Sequence, residues 1–194
     1  MRSSYRRYSR WRFAGLAALR LSARFLRAWA LLSVQTCCLL AAASSLEYDV
    51  KAAFLLNFTK FVEWPPSTFA TPAAPFTMCI LGDDPFGRAI DQIVEGESVN
   101  SHKIVVERVQ SDKQKSCQVL YFGGGNKISP SLPGATGSAV LTVGEGEDFV
   151  SQGGVIGFVI DNRHVRFDVN LKSAANAGLK LSSRLLSVAR SVER

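Results

Sequence analysis

Hydrophobic and polar positions follow two different periods along this chain, and the switches between them mark out its elements. Over residues 48–63, Val50, Ala53, Phe54, Asn57, Phe58 and Phe61 keep an i, i+3, i+4 spacing, which predicts a helix. Leu55, Leu56 and Val62 widen its apolar stripe, so it is covered on more than one side, and Pro65-Pro66 stop it. Short apolar runs over 77–81, 103–109, 118–122 and 138–143 then read as buried strands. Gly82-Asp83 turns the chain after the first run. Asp84-Pro85 predicts an N-cap with proline at the first helical position, opening a helix that carries Phe86, Ala89, Ile90 and Ile93. Gly123-Gly124-Gly125 closes the third run, with a loose helical segment at 129–132 beyond it. Gly144 closes the fourth, with a short helix predicted over 145–150.

The last third of the sequence changes character. Residues 154–160 form an apolar strand, Asp161-Asn162-Arg163 a turn, and 164–170 a returning strand. Val165, Phe167 and Val169 alternate there with Arg166, Asp168 and Asn170, the pattern of an antiparallel strand covered on one face. Asn170 is placed to cap a long helix over 171–192. In it Ala175, Gly178 and Ser182 make a small-residue stripe, and mid-helix Gly178 implies a packing reason. The predicted fold is a single α/β domain over 47–192. It has a mainly parallel sheet, helices on both faces, and a C-terminal antiparallel hairpin followed by a long helix.

Charge changes the picture at the amino end. Residues 1–43 hold eight arginines and no lysine or acid. They run into the apolar stretch 28–43 with the small-residue exit Ala41-Ala42-Ala43, the layout of a cleavable export signal. Arg6-Arg7 is a weak twin-arginine match, Cys37-Cys38 has a poor lead-in for lipidation, and retention as an N-terminal anchor is the alternative to cleavage. Removing the eight leader arginines from 23 basic residues leaves 15 against 16 acidic ones, a net charge of −1. The nucleic-acid reading that the whole-chain charge of +7 invites belongs to the leader alone, so no nucleic-acid partner is expected. About 150 residues remain, enough for one domain with its own core.

The segments 51–65 (KAAFLLNFTKFVEWP), 79–87 (CILGDDPFG), 140–144 (VLTVG), 165–170 (VRFDVN) and 177–183 (AGLKLSS) occur in that order. On these segments the chain resembles the YfiR family over nearly all of residues 47–190. The resemblance implies an exported bacterial protein that represses a membrane-bound diguanylate cyclase. Such a protein binds the cyclase's periplasmic sensory region and holds the cytoplasmic cyclase domain inactive. Release raises cyclic di-GMP and favours biofilm formation. After cleavage the protein would have no membrane insertion of its own, and an apolar one-sided surface would support a homodimer.

Cys79 and Cys117 are the only cysteines beyond the leader. In a reducing cytosol they read as small buried hydrophobes; in an oxidising compartment an even pair predicts a disulfide. A flavodoxin-type strand order, with the first strand between the second and third, would bring them to one end of the sheet. Family members carry a pair matching these positions and some a second pair farther along, which this chain lacks. The bridge is then a structural staple or a redox sensor, and partner affinity with and without reductant separates the two.

No catalytic set assembles. His102 and His164 have no metal-ligand spacing, Asp84 is used as a cap beside Asp83, and Ser182-Ser183 lack a nucleophile elbow. No enzyme, cofactor or metal is therefore expected. Gly82, Asp83, Gly123, Gly124, Gly125 and Gly144 follow predicted parallel strands and would collect at the carboxyl edge of the sheet, where open α/β sheets bind ligands. None fits a dinucleotide or phosphate-loop fingerprint, and tight turns explain them equally well. Partner-facing candidates are Arg166 and Asp168 of the hairpin and Lys180 of the last helix. The competing function is a periplasmic small-ligand-binding module without a cyclase partner.

Overall fold

A computed structural model describes residues 46–110, 117–124 and 139–194. The export signal, Gly125 and the helical segment expected at 129–132 lie outside the described residues. The first helix, α1, occupies 46–61. It gives way to a two-residue strand, β1 (Val62–Glu63), three residues before the double proline. The main sheet takes up β2 (Phe76–Leu81), β3 (Ser98–Val99), β4 (His102–Val109), β5 (Val119–Phe122), β6 (Leu141–Glu145), β7 (Ile156–Asp161), β8 (His164–Asn170) and β10 (Ser191–Glu193). Helix α2 (Arg88–Val94) follows β2, α3 (Leu171–Asn176) follows β8, and β9 (Lys180–Leu181) and α4 (Ser183–Val188) complete the chain.

The strand order is β10-β8-β7-β6-β5-β2-β4-β3. β4, β2, β5, β6 and β7 run parallel, and β8 returns antiparallel to β7. β2 lies between β4 and β5, the expected flavodoxin-type centre. Asn162 and Arg163 both have positive φ (48° and 65°), the two-residue turn whose twist matches a β hairpin, and Asp161 pairs with His164 across it.

Alternation sorts the strand residues onto two faces. Phe76, Met78, Ile80, Val119, Tyr121, Leu141, Val143, Ile156, Phe158, Phe167 and Val169 join one buried cluster. Ala52, Leu55 and Phe58 of α1, Ile90 and Val94 of α2, Ala174 of α3 and Leu185 of α4 join that same cluster. Phe58 anchors α1, its ring 4.9 Å from Phe167 and 5.6 Å from Phe158. The opposite face carries a smaller cluster of Cys79, Cys117, Leu120, Phe122, Val140 and Phe149. Helices were expected on both faces; among the described residues all four pack on one, and the turns over 146–153 bring Phe149 to the other.

Three local expectations are corrected. The helix expected over 145–150 is absent: Glu145 ends β6, and a run of turns follows it. Asp84 does not cap α2, which begins four residues later; its Oδ1 accepts from the Phe86 and Gly87 amides and holds the turn that leads there. The long helix expected over 171–192 is broken. Asn170 caps its first part as predicted, Oδ1 accepting from Ser173 N at 2.8 Å. Gly178, at φ 77°, then ends α3, with Leu179 N donating to Ala174 O and Gly178 N to Ala175 O. A Cβ at Gly178 would meet nothing within 4 Å, so this glycine serves backbone conformation rather than close packing. β9 then pairs antiparallel with β1, Ser182 caps α4, and β10 joins the sheet edge beside β8.

Candidate functional site

The carboxyl ends of β2, β5 and β6 converge on a cleft of about 470 Å³. Gly123 and Gly124 make this edge possible. A Cβ at Gly123 would overlap the Asp83 carbonyl, and one at Gly124, whose φ is 65°, would stand 2.8 Å from Asp83 Oδ2. Gly144 and Gly154 perform a different task, because a Cβ at either would overlap the Phe149 ring. Phe149 therefore lies flat between two glycines and packs edge-on against Phe122 at 5.5 Å. Of the edge residues singled out in the sequence, Asp83 and Gly124 line the cleft. Gly82, Gly123 and Gly144 shape its surroundings.

The cleft wall carries Asp83, Asp84, Glu145, Glu147 and Asp148, with Tyr48, Phe122 and Phe149 as its rings. Among the described residues no lysine, arginine or histidine lines it. Arg108 pairs with Asp84 at 2.9 Å while also reaching Asp91 at 2.7 Å. Its guanidinium is held above its ordinary pKa, first by the hydrogen bond with Asp91, and Asp91 is correspondingly lowered.

A second network joins the cleft to α1. Lys51 is buried, with its Nζ 2.5 Å from Glu47 Oε1, 3.1 Å from Glu145 Oε2 and 4.5 Å from the centre of the Tyr48 ring. Glu145 Oε1 accepts the Tyr121 hydroxyl. Burial by itself lowers the Lys51 pKa, but the hydrogen bonds and charges of Glu47 and Glu145 outweigh it and hold the ammonium above its usual value. Tyr121 is pushed up by burial and then by the Glu145 carboxylate, and Tyr48 likewise. The sequence reading missed this network. Its signal was present, since Lys51 falls on the same helical stripe as Leu55 and Phe58 and stands four residues from Glu47.

The partner-facing candidates separate. Arg166 is exposed on β8, and Lys180 is exposed in the other sheet, where it pairs in register with Glu63. Asp168 is buried and bonds Arg190 Nε at 2.9 Å, so it holds β8 to the chain end rather than facing a partner. Arg190 also reaches Glu147, 3.2 Å away. Burial raises the Asp168 pKa, yet the bonds from Arg190 and Ser191 win and leave it below the ordinary carboxylate range. His164 bonds the Asn162 carbonyl in its turn, and His102 stacks on Phe69 with ring centres 3.6 Å apart; the two histidines share no site.

Cys79 and Cys117 form a disulfide with their Cα atoms 5.8 Å apart. It lies in the smaller cluster and ties mid-β2 to the residue that leads into β5.

No curated protein shows significant sequence similarity to the chain. The profile described as YfiR/HmsC-like matches residues 48–190, which takes in most of α1, the parallel strands β2 and β4–β7, the disulfide and the hairpin, and stops before β10. The chain belongs to the YfiR/HmsC-like family.

Proposed function

We propose that the protein works in the periplasm as the inhibitory partner of a membrane-bound diguanylate cyclase, binding its sensory region and repressing cyclic di-GMP synthesis. The observation that carries this reading is the family match over residues 48–190. It is supported by the arginine-rich leader, which has the layout of an export signal, and by a disulfide of the kind that persists in oxidising compartments. Among the described residues no helix is long and apolar enough to cross a membrane, so contact with the cyclase is assigned to protein surface, with Arg166 and Lys180 as candidates. Repression requires only that the protein bind the inactive cyclase more tightly than the active one. Each tenfold difference in affinity shifts the balance by about 1.4 kcal/mol.

Deletion of the gene should raise cellular cyclic di-GMP. The intact gene should restore the level, and a version lacking residues 1–43 should not. Unchanged cyclic di-GMP in the deletion strain would refute the repressor reading. The cleft favours the second reading, a periplasmic ligand-binding module. A pull-down separates the two, since the module reading expects no membrane cyclase among the captured proteins.

A further inference from the structure

We propose that β10 is a strap closing the outer edge of the main sheet, and that a second copy of the chain pairs through β8 when the strap lets go. The inference does not rest on the cyclase reading. β8 has β7 on its inner side and β10 on its outer side. Asp161 and His164 close a two-residue hairpin, so His164 bonds to β7 and every second residue after it does the same. Two bonds keep to that alternation: Asn170 N donates inward to Val155 O, and Phe167 O accepts from Arg190 N on the outer side at 2.8 Å. Val165, Phe167 and Val169 therefore turn their backbone groups to the outer edge.

The strap covers this edge lightly and only in part. It is three residues long, two of them exposed, and it pairs with residues 168–170. Among the described residues no strand lies beside 164–166 on that side. Side chains hold the strap down: Arg190 Nε donates to the buried Asp168 at 2.9 Å, and Glu193 accepts from Asn170 Nδ2 at 3.2 Å. Short segments with exposed backbone bonds open first in a folded protein, and an open strand edge recruits another strand.

The edge fits a second copy of itself. Laid antiparallel about a twofold axis through Phe167, β8 sets Val165 of each copy against Val169 of the other, and their outward backbone groups then bond in pairs. The same register sets Arg166 of each copy opposite Asp168 of the other, at the positions where cross-strand side chains come closest. Arg166 is exposed and forms no ion pair among the described residues. In the closed molecule Arg190 supplies the guanidinium that Asp168 takes; in the pair, Arg166 of the second copy supplies it. Strap and second copy compete for one carboxylate and one row of backbone groups, so each excludes the other.

Sedimentation velocity of the purified protein over a concentration series tests this. A chain lacking residues 191–194 should self-associate at least about tenfold more tightly than the parent. Arg166→Glu in the shortened chain should return it to the parent level, because two carboxylates would then face each other across the new pair. Arg190→Gln in the intact chain loosens the strap without removing it and should tighten self-association by at least about threefold; it carries the test if the shortened chain does not fold. Unchanged association in the folded shortened chain, or in R190Q where that chain does not fold, would overturn the proposal. So would a gain on shortening that ignores Arg166→Glu. None of these outcomes bears on whether the protein captures a cyclase.

Discussion

Replacing Lys51 by methionine tests whether the buried ion network fastens α1 to the sheet. The side chain is 3% exposed, and its ammonium is shared by Glu47 and Glu145, themselves about one-third exposed (33% and 35%). Methionine is unbranched and flexible enough to fill the space of the lysine stem, so the variant removes charge with little change of shape. Breaking a fully buried pair from one side costs about 3–5 kcal/mol. Water reaches both carboxylates here and takes up part of that cost, which leaves an expected loss of about 2 kcal/mol. For a domain of about 150 residues that is a fall in Tm of about 4–8 °C. Urea and thermal unfolding of K51M against the parent measure it. The accompanying triple variant, K51M with Glu47→Gln and Glu145→Gln, removes the stranded charges while keeping an acceptor for the Tyr121 hydroxyl. It should recover at least half of the loss. A single variant within about 0.5 kcal/mol of the parent, or a triple variant no better than the single, would show that the network does not hold the helix.

Two further predictions follow from single contacts. Reduction of Cys79–Cys117, or its replacement by two alanines, opens a loop of 38 residues, and should lower stability by about 4 kcal/mol and Tm by about 10 °C; unchanged thermal unfolding under reductant would contradict the staple. Asp168, whose folded pKa is depressed, contributes stability that is present above its unfolded pKa of about 3.9 and is lost as pH falls through the folded value. Asp168→Asn should therefore cost about 2 kcal/mol at neutral pH, and the gap to the parent in urea midpoint should close at acid pH; a gap that stays constant down to pH 2 would refute the assignment.

The redox question now has a structural frame. The bridge lies inside the smaller cluster, with Cys79 fully buried and Cys117 nearly so. A reductant therefore has little direct access to it in the folded protein.

Much of the architecture was legible in the order of residues. Short apolar runs located β2, β5 and β7, alternation located β4 and β8, the strand–helix succession gave the parallel sheet, and Asn170 was recognised as a cap. Local chemistry decides these features, because side-chain alternation and capping depend on neighbours a few positions away. The last segment shows where that ends. Its apolar spacing suits one long helix, but Gly178 at φ 77° stops α3, and the next residues gain more by pairing β9 with β1 and β10 with β8. Those partners stand over a hundred residues away in the first case and some twenty in the second, beyond the reach of any periodicity.

The candidate site divides in the same way. Sequence alone placed glycines and Asp83 at the ends of parallel strands, and so at one edge of the sheet. Tertiary structure decided that Gly123 and Gly124 make room for Asp83, that Gly144 and Gly154 make room for Phe149, and that Glu145 meets Lys51 from α1. It also buried Asp168 and set Arg190 against it. Pairing and exposure are properties of what surrounds a side chain, and the folded chain supplies those surroundings from segments far apart in the sequence.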